Sequence, residues 1–248
     1  MNNILNIKNL KKTYHDKNGE TIAIDDISLK IMDKSFISIV GPSGCGKSTL
    51  LSILAGLENK SSGIIDANED IKIGYMLQSD SLFPWRTVLD NCLLGLEINN
   101  MLNTDSKRRV ISLLKAYGLY DFKDKFPKNL SGGMRQRVAL IRTLAINPDI
   151  LLLDEPFSAL DYSTRLSLSN DVYKIIKEEN KTAIMVTHDL AEAISLSDEI
   201  IVLTKRPAKI KTIHKIDFDK DSLPTERRRT NKFNEYYDVI WKEIENHV

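Results

Sequence analysis

Three short stretches carry residue types suited to gripping and cutting a phosphoanhydride. GPSGCGKST, Gly41 to Thr49, fits G-x-x-x-x-G-K-[ST] between an apolar strand and a helical pattern. Glycines let a backbone wrap around phosphate oxygens, and a helix start adds positive potential. Gly41, Pro42, Ser43, Gly44, Cys45, Gly46 and Thr49 are the expected cradle. Lys47 would reach the β- and γ-phosphates, and Ser48 would offer its hydroxyl to Mg²⁺. The second stretch, ILLLDEP, buries four apolar residues and leaves Asp154 at a strand's carboxyl end, suited to Mg²⁺. Glu155 follows at once and can polarise a water for in-line attack. The third, LSGGMRQR (Leu130 to Arg137), opens a helix with a serine and two glycines. It suits a second ligand, a second grip on the same ligand, or a plain N-cap at Ser131 that binds nothing.

The elements that must position these residues follow from periodicity. Strands are expected at Ile4–Ile7 and Thr21–Ile31, joined by a turn around Asn18-Gly19, then at Ser35–Val40 and Ile71–Gln78. Helical spacing follows the phosphate loop up to Gly56 and recurs at Thr87–Ile98, Ser106–Tyr117 and Gly133–Ala145. Strands return at Asp149–Pro156, Ala183–His188 and Glu199–Thr204, with helices near Thr164–Glu179 and Leu190–Leu196. A short strand pair after Arg206 and an amphipathic helix, Lys232–Ile244, close the pattern. Phe233, Tyr237, Ile240, Trp241 and Ile244 are its expected packing face. Strands alternating with helices predict an α/β fold with a mostly parallel sheet and a helical insertion.

Composition narrows the partners. Lys and Arg total 35 against 34 Asp and Glu, so no electrostatic footprint for nucleic acid exists. Cys45 and Cys92 lack metal-ligand or CxxC spacing and suit a reduced compartment. Cys45 reads as a small residue tolerated in the loop. Neighbouring N–H groups could also lower its thiol pKa, and alkylation would then block nucleotide binding. His15, His214 and His247 have no constellation around them, so no histidine metal site is expected. No apolar run reaches about 18 residues and MNNILNIKNLKK lacks a signal-peptide core, so the chain is not expected to cross a membrane itself.

Taken together, these stretches resemble the ATP-binding cassette (ABC) ATPases, in the family's order along nearly the whole chain. Gln78 in YMLQ is similar to the Q-loop glutamine, SALD (Ser158–Asp161) to the D-loop, and His188 in VTHD to the switch histidine. Tyr14 stands where the family places an aromatic on adenine. The resemblance implies a P-loop NTPase core, an N-terminal antiparallel β-subdomain and an inserted α-helical subdomain. The expected division is 1–78 with 147–205 for the core, 79–146 for the helices and 206–248 for the end. It also implies catalytic roles for Glu155, His188, Lys47 and Gln78, and Mg²⁺ held by Ser48, Gln78 and Asp154. Ser131, Gly132, Gly133 and Asp161 would touch the ATP held by a second copy, in a head-to-tail homodimer. Two departures stand out: Met134 where glutamine is commonest, and a shortened IIDANEDIKI segment that would trim a surface hairpin.

SDSLFPWRTVLDNCLLGLEI, directly after Gln78, resembles importer ATPases of the nitrate, sulfonate and taurine class. Phe83, Pro84, Trp85 and Arg86 would form an apolar patch with one cation for a coupling helix, or Phe83 and Trp85 would pack the insertion's own core. The implied partners are two integral-membrane permease subunits and, indirectly, a solute-binding protein. The implied location is cytoplasmic, peripheral on the inner face of the membrane. The competing reading is a soluble ABC ATPase of iron–sulfur cluster assembly. ERRRT (Glu226–Thr230) reads as a solvated face or an anionic-lipid contact.

Overall fold

The computed structural model describes residues 3–17, 19–67, 71–158, 160–219 and 221–245. Two long strands, β1 (Asn3–Asp16) and β2 (Gly19–Met32), pair antiparallel. Asn18 of the expected turn lies outside the described residues. The chain then enters β3 (Phe36–Val40), α1 (Lys47–Leu54), β4 (Ser62–Ala67) and β5 (Ile73–Met76). Helices α2 (Val88–Ile98), α3 (Thr104–Ala116) and α4 (Gly132–Ala145) follow without an intervening strand. From there strands and helices alternate: β6 (Ile150–Asp154), α5 (Tyr162–Glu178), β7 (Thr182–Val186), α6 (Leu190–Leu196) and β8 (Glu199–Leu203). β9 (Ile210–Lys215), a single turn α7 (Pro224–Arg227) and α8 (Asn231–Glu245) complete the described chain.

A six-stranded sheet runs β5-β6-β7-β3-β8-β9, parallel except for β9, and a three-stranded antiparallel sheet runs β2-β1-β4. Every residue of β3, β6 and β7 is buried, as expected for central parallel strands covered on both faces. The period of two sorts their side chains. Leu151, Leu153, Ala183 and Met185 join one cluster with α2, α3, α4 and α5. Ile150, Leu152, Ile184 and Val186 join the other, with α1 and the N-terminal strands. The helical segment therefore shares its core with one sheet face.

Within the IIDANEDIKI segment, Ile64, Ile65 and Asp66 lie in β4 and pair with β1, while residues 68–70 lie outside the described ones. Three expectations change. After Arg206, the described residues hold one strand rather than a pair, because β9 adds to the sheet edge beside β8. On α8, Phe233 and Ile240 are buried, but Trp241 is 46% exposed and stacks on Tyr237 with ring centroids 5.9 Å apart. ERRRT is neither a solvated face nor free for lipid throughout. Arg227 is 4% exposed, donates to the Ser195 carbonyl at 3.0 Å and lies over the Tyr173 and Phe218 rings.

Candidate functional site

The loop from β3 to α1 sits at the carboxyl end of a central strand, beside the ends of β6 and β7, where ligands collect in open α/β sheets. Gly46 has φ +122°, and a Cβ there would lie 3.0 Å from the Ala23 carbonyl, so glycine is required at the entry to α1. No side chain caps α1, leaving its first N–H groups for an anion. Lys47 is nearly buried, and its ammonium donates to the carbonyls of Gly41 at 2.8 Å and Pro42 at 3.0 Å. The Arg206 guanidinium, not anticipated from the sequence, donates to the Gly44 carbonyl at 2.8 and 3.2 Å.

Ser48 Oγ donates to Asp154 Oδ1 at 3.2 Å, and the Tyr75 hydroxyl donates to Oδ2 at 3.2 Å. Burial raises the Asp154 carboxyl above its ordinary range, against these two hydrogen bonds. A hydroxyl and a carboxylate side by side are hard oxygen donors suited to Mg²⁺, which commonly keeps few protein ligands beside phosphate oxygens. Among the described residues no cluster of three or more His, Cys, Asp or Glu offers a rival metal site.

Glu155 is held from two sides. Gln78 Nε2 donates to its Oε2 at 3.0 Å, and His188 Nδ1 lies 3.2 Å from the same oxygen. Its backbone takes φ +46°, sparsely used by non-glycine residues, with its N–H donating to the Val186 carbonyl. Gln78, Asp154, Glu155, Ser158 and His188 line one open cleft of about 690 Å³. Gln78 thus shares a cleft with Asp154 while its amide engages Glu155.

The remaining residues lie apart from this cleft's lining. Tyr14 is partly exposed, with the Lys12 ammonium 4.5 Å from its ring centroid. Cys45 is buried, and desolvation pushes its thiol up rather than down, so the expectation of a lowered pKa is corrected. Ser131 caps α4, accepting from the Met134 N–H at 3.3 Å. Asp161 caps α5, accepting from Thr164 N–H and the Ser163 hydroxyl, which holds its carboxyl well below the usual range. The two glycines after Ser131 differ. A Cβ on Gly132 would meet only ordinary contact, with Leu160 at 3.8 Å. One on Gly133 would lie 2.4 Å from Thr164 Cγ2, so the crossing of α4 on α5 leaves no room for a side chain there. Met134 is half-buried against the helical cluster, which accounts for an apolar residue there.

Phe83 and Trp85 do not pack an internal core. Trp85 is 71% exposed and its ring centroid lies 5.0 Å from that of Phe83, with Pro84 exposed between them. Arg86 is not a free cation, since its guanidinium meets Glu97 at 2.6 Å. The loop's shape comes from Asn91, which the sequence reading missed. Fully buried, it accepts from the Phe83 N–H and donates to the carbonyls of Phe83, Arg86 and Thr87. Arg135 and Arg142 of α4 tie down the preceding Asp80-Ser81 turn.

A family model described as ABC transporter matches residues 24–158, and the chain belongs to that family. It is an ATPase of the ABC type, with ATP as substrate and Mg²⁺ as its metal. Among its relatives, the uncharacterized ABC transporter ATP-binding protein YtlC of Bacillus subtilis is 47% identical over 97% of this chain and 95% of its own length. The taurine import ATP-binding protein TauB of Roseobacter denitrificans is 38% identical over 94% of this chain and 89% of its own. The dimeric post-hydrolysis structure of the ATP-binding cassette MJ0796, bound to ADP and Pi, superposes with a TM-score of 0.74 at 32% identity. It covers 87% of this chain and 100% of that one. Among the described residues no helix is long and apolar enough to cross a membrane.

Proposed function

We propose that the chain is the ATP-hydrolysing motor of a membrane importer for a small solute, such as nitrate, a sulfonate, taurine or a thiamine-precursor pyrimidine. It works as a head-to-tail homodimer beneath two permease subunits, peripheral on the cytoplasmic face, and acts indirectly on a solute-binding protein. The observation that carries this reading is the continuity at Gln78. Its amide is bonded to Glu155 in the phosphate-facing cleft, and the segment that follows presents the exposed Phe83–Trp85 pair. A nucleotide-dependent shift at Gln78 thereby has a short path to an apolar surface fit for a coupling helix.

In this reading the phosphates draw Lys47 from the loop carbonyls it holds, and the backbone N–H groups of residues 43–49 close around them. Ser48 and Asp154 would hold Mg²⁺, with Gln78 in the same cleft; when bound, the metal neutralises phosphate charge. Glu155 takes the proton of the attacking water, and His188 holds that water against the γ-phosphate. Tyr14 stacks on adenine through the ring face away from Lys12. The second copy caps the same ATP with Ser131, Gly132, Gly133 and Asp161. The likeness to TauB, a taurine import ATP-binding protein, and the dimeric state of MJ0796 support this assignment. Purification from detergent tests it. An integral-membrane partner, with ATPase activity stimulated by reconstitution and taurine, nitrate or an alkylsulfonate, is expected. A soluble iron–sulfur scaffold as the partner would overturn the importer reading.

A further inference from the structure

We propose that Arg165 is a positioning residue for hydrolysis, tying the turn that ends at Asp161 to the segment that carries His188. The inference rests on the roles given above to Glu155 and His188. Arg165 lies in the first turn of α5, and its planar fork spans two loops. One guanidinium nitrogen donates to the Leu160 carbonyl at 3.1 Å, and another donates to Asp189 Oδ2 at 3.1 Å. The third, Nε, is buried without a hydrogen-bond partner and faces Glu192 Oε1 at 3.6 Å.

Each loop reaches Glu155 by a short path. On one side, Leu160 N–H donates to the Phe157 carbonyl and Ser158 Oγ donates to that of Glu155. On the other, Asp189 adjoins His188, whose imidazole lies 3.2 Å from the Glu155 carboxylate. Asp189 is itself fixed, with Oδ1 capping α6 through the N–H groups of Ala191 and Glu192 and its own N–H on Thr187 Oγ1. The guanidinium thus sets the spacing between the turn bearing Asp161 and the backbone bearing His188. A lysine could meet one acceptor but not hold both in a fixed plane. The Arg165 and Asp189 side chains are about a quarter exposed, so the ion pair itself contributes little to stability. Its effect should fall on geometry, to which hydrolysis is far more sensitive.

The test is ATP turnover alongside affinity for the fluorescent analogue mant-ATP. Arg165→Met is expected to lower kcat about tenfold or more while mant-ATP affinity stays within about twofold. Asp189→Asn keeps the α6 cap and is expected to show the same split, with Arg165→Lys intermediate. The double variant should fall no further than Arg165→Met, because both changes cut one link. Turnover within about twofold of wild type in Arg165→Met, or losses that multiply in the double variant, would overturn the proposal. If Arg165→Met does not fold, wild-type turnover in both Arg165→Lys and Asp189→Asn overturns it. Glu155→Gln, measured beside them, separates the two layers. Wild-type turnover there sinks the underlying site reading, whereas an inactive Glu155→Gln with a normal Arg165→Met sinks only the Arg165 role.

Discussion

Replacing Gly133 by alanine tests whether the second glycine is there for packing. The new Cβ would start 2.4 Å from Thr164 Cγ2, more than an ångström inside ordinary contact, with the next atom, Thr164 Cβ, at 3.9 Å. Overpacking of this kind costs about 1–3 kcal/mol, and the gain in helix propensity returns up to about 1 kcal/mol. A net loss of about 1–2 kcal/mol is expected, read as a lower urea midpoint for the nucleotide-free protein. Thr164→Ser removes the offending methyl and keeps the hydroxyl beside Asp161. The double variant should therefore recover to within about 0.5 kcal/mol of Thr164→Ser alone. Gly132→Ala, with only ordinary contact at 3.8 Å, should keep its midpoint yet lose hydrolysis, since that glycine faces the partner's nucleotide in the proposed dimer. A Gly133→Ala protein as stable as wild type, or one that Thr164→Ser fails to rescue, would refute the reasoning.

Asn91→Ala should destabilise by about 2–4 kcal/mol, because one N–H and three carbonyls of the Phe83–Thr87 loop lose a buried partner. A urea midpoint unchanged from wild type would argue against its role in shaping the loop. Glu192 is buried and its pKa is pushed up to about 7, chiefly by desolvation. The fold therefore favours the protonated carboxyl: the contribution is full below about pH 4.5 and is lost as pH rises through about 7. Glu192→Gln should flatten the stability profile across that window, and an unchanged slope between wild type and variant would contradict it. Cys45, buried with a raised pKa, should resist iodoacetamide at neutral pH in the native nucleotide-free protein and react after unfolding. Fast native alkylation that ATP prevents would show the opposite.

What the sequence could and could not reveal divides by range. The phosphate loop between β3 and α1, ILLLD and the helices of the 79–146 segment are local patterns, and each lands where periodicity places it. Strand β4 escaped notice because SGIIDA alternates poorly and takes its identity from β1 across the sheet. Arg227 reads as solvated beside two other arginines, yet Tyr173 and Ser195, distant along the chain, and the nearer Phe218 supply its burial. The same holds for Gly133, whose neighbour Thr164 comes from another helix, and for Asn91, a buried amide whose partners lie in the loop before its own helix. Charge and glycine report where chemistry is possible. Which side chain is enclosed depends on contacts that no short pattern records.

The claim that one ATP site takes residues from two copies is tested most directly by molar mass in solution. With saturating ATP and Mg²⁺, Glu155→Gln should run as a dimer by light scattering and return to a monomer when nucleotide is removed. Adding Ser131→Arg should leave mant-ATP binding intact and keep the protein monomeric. A Glu155→Gln protein that stays monomeric with ATP bound, or a dimer that survives Ser131→Arg, would contradict the account.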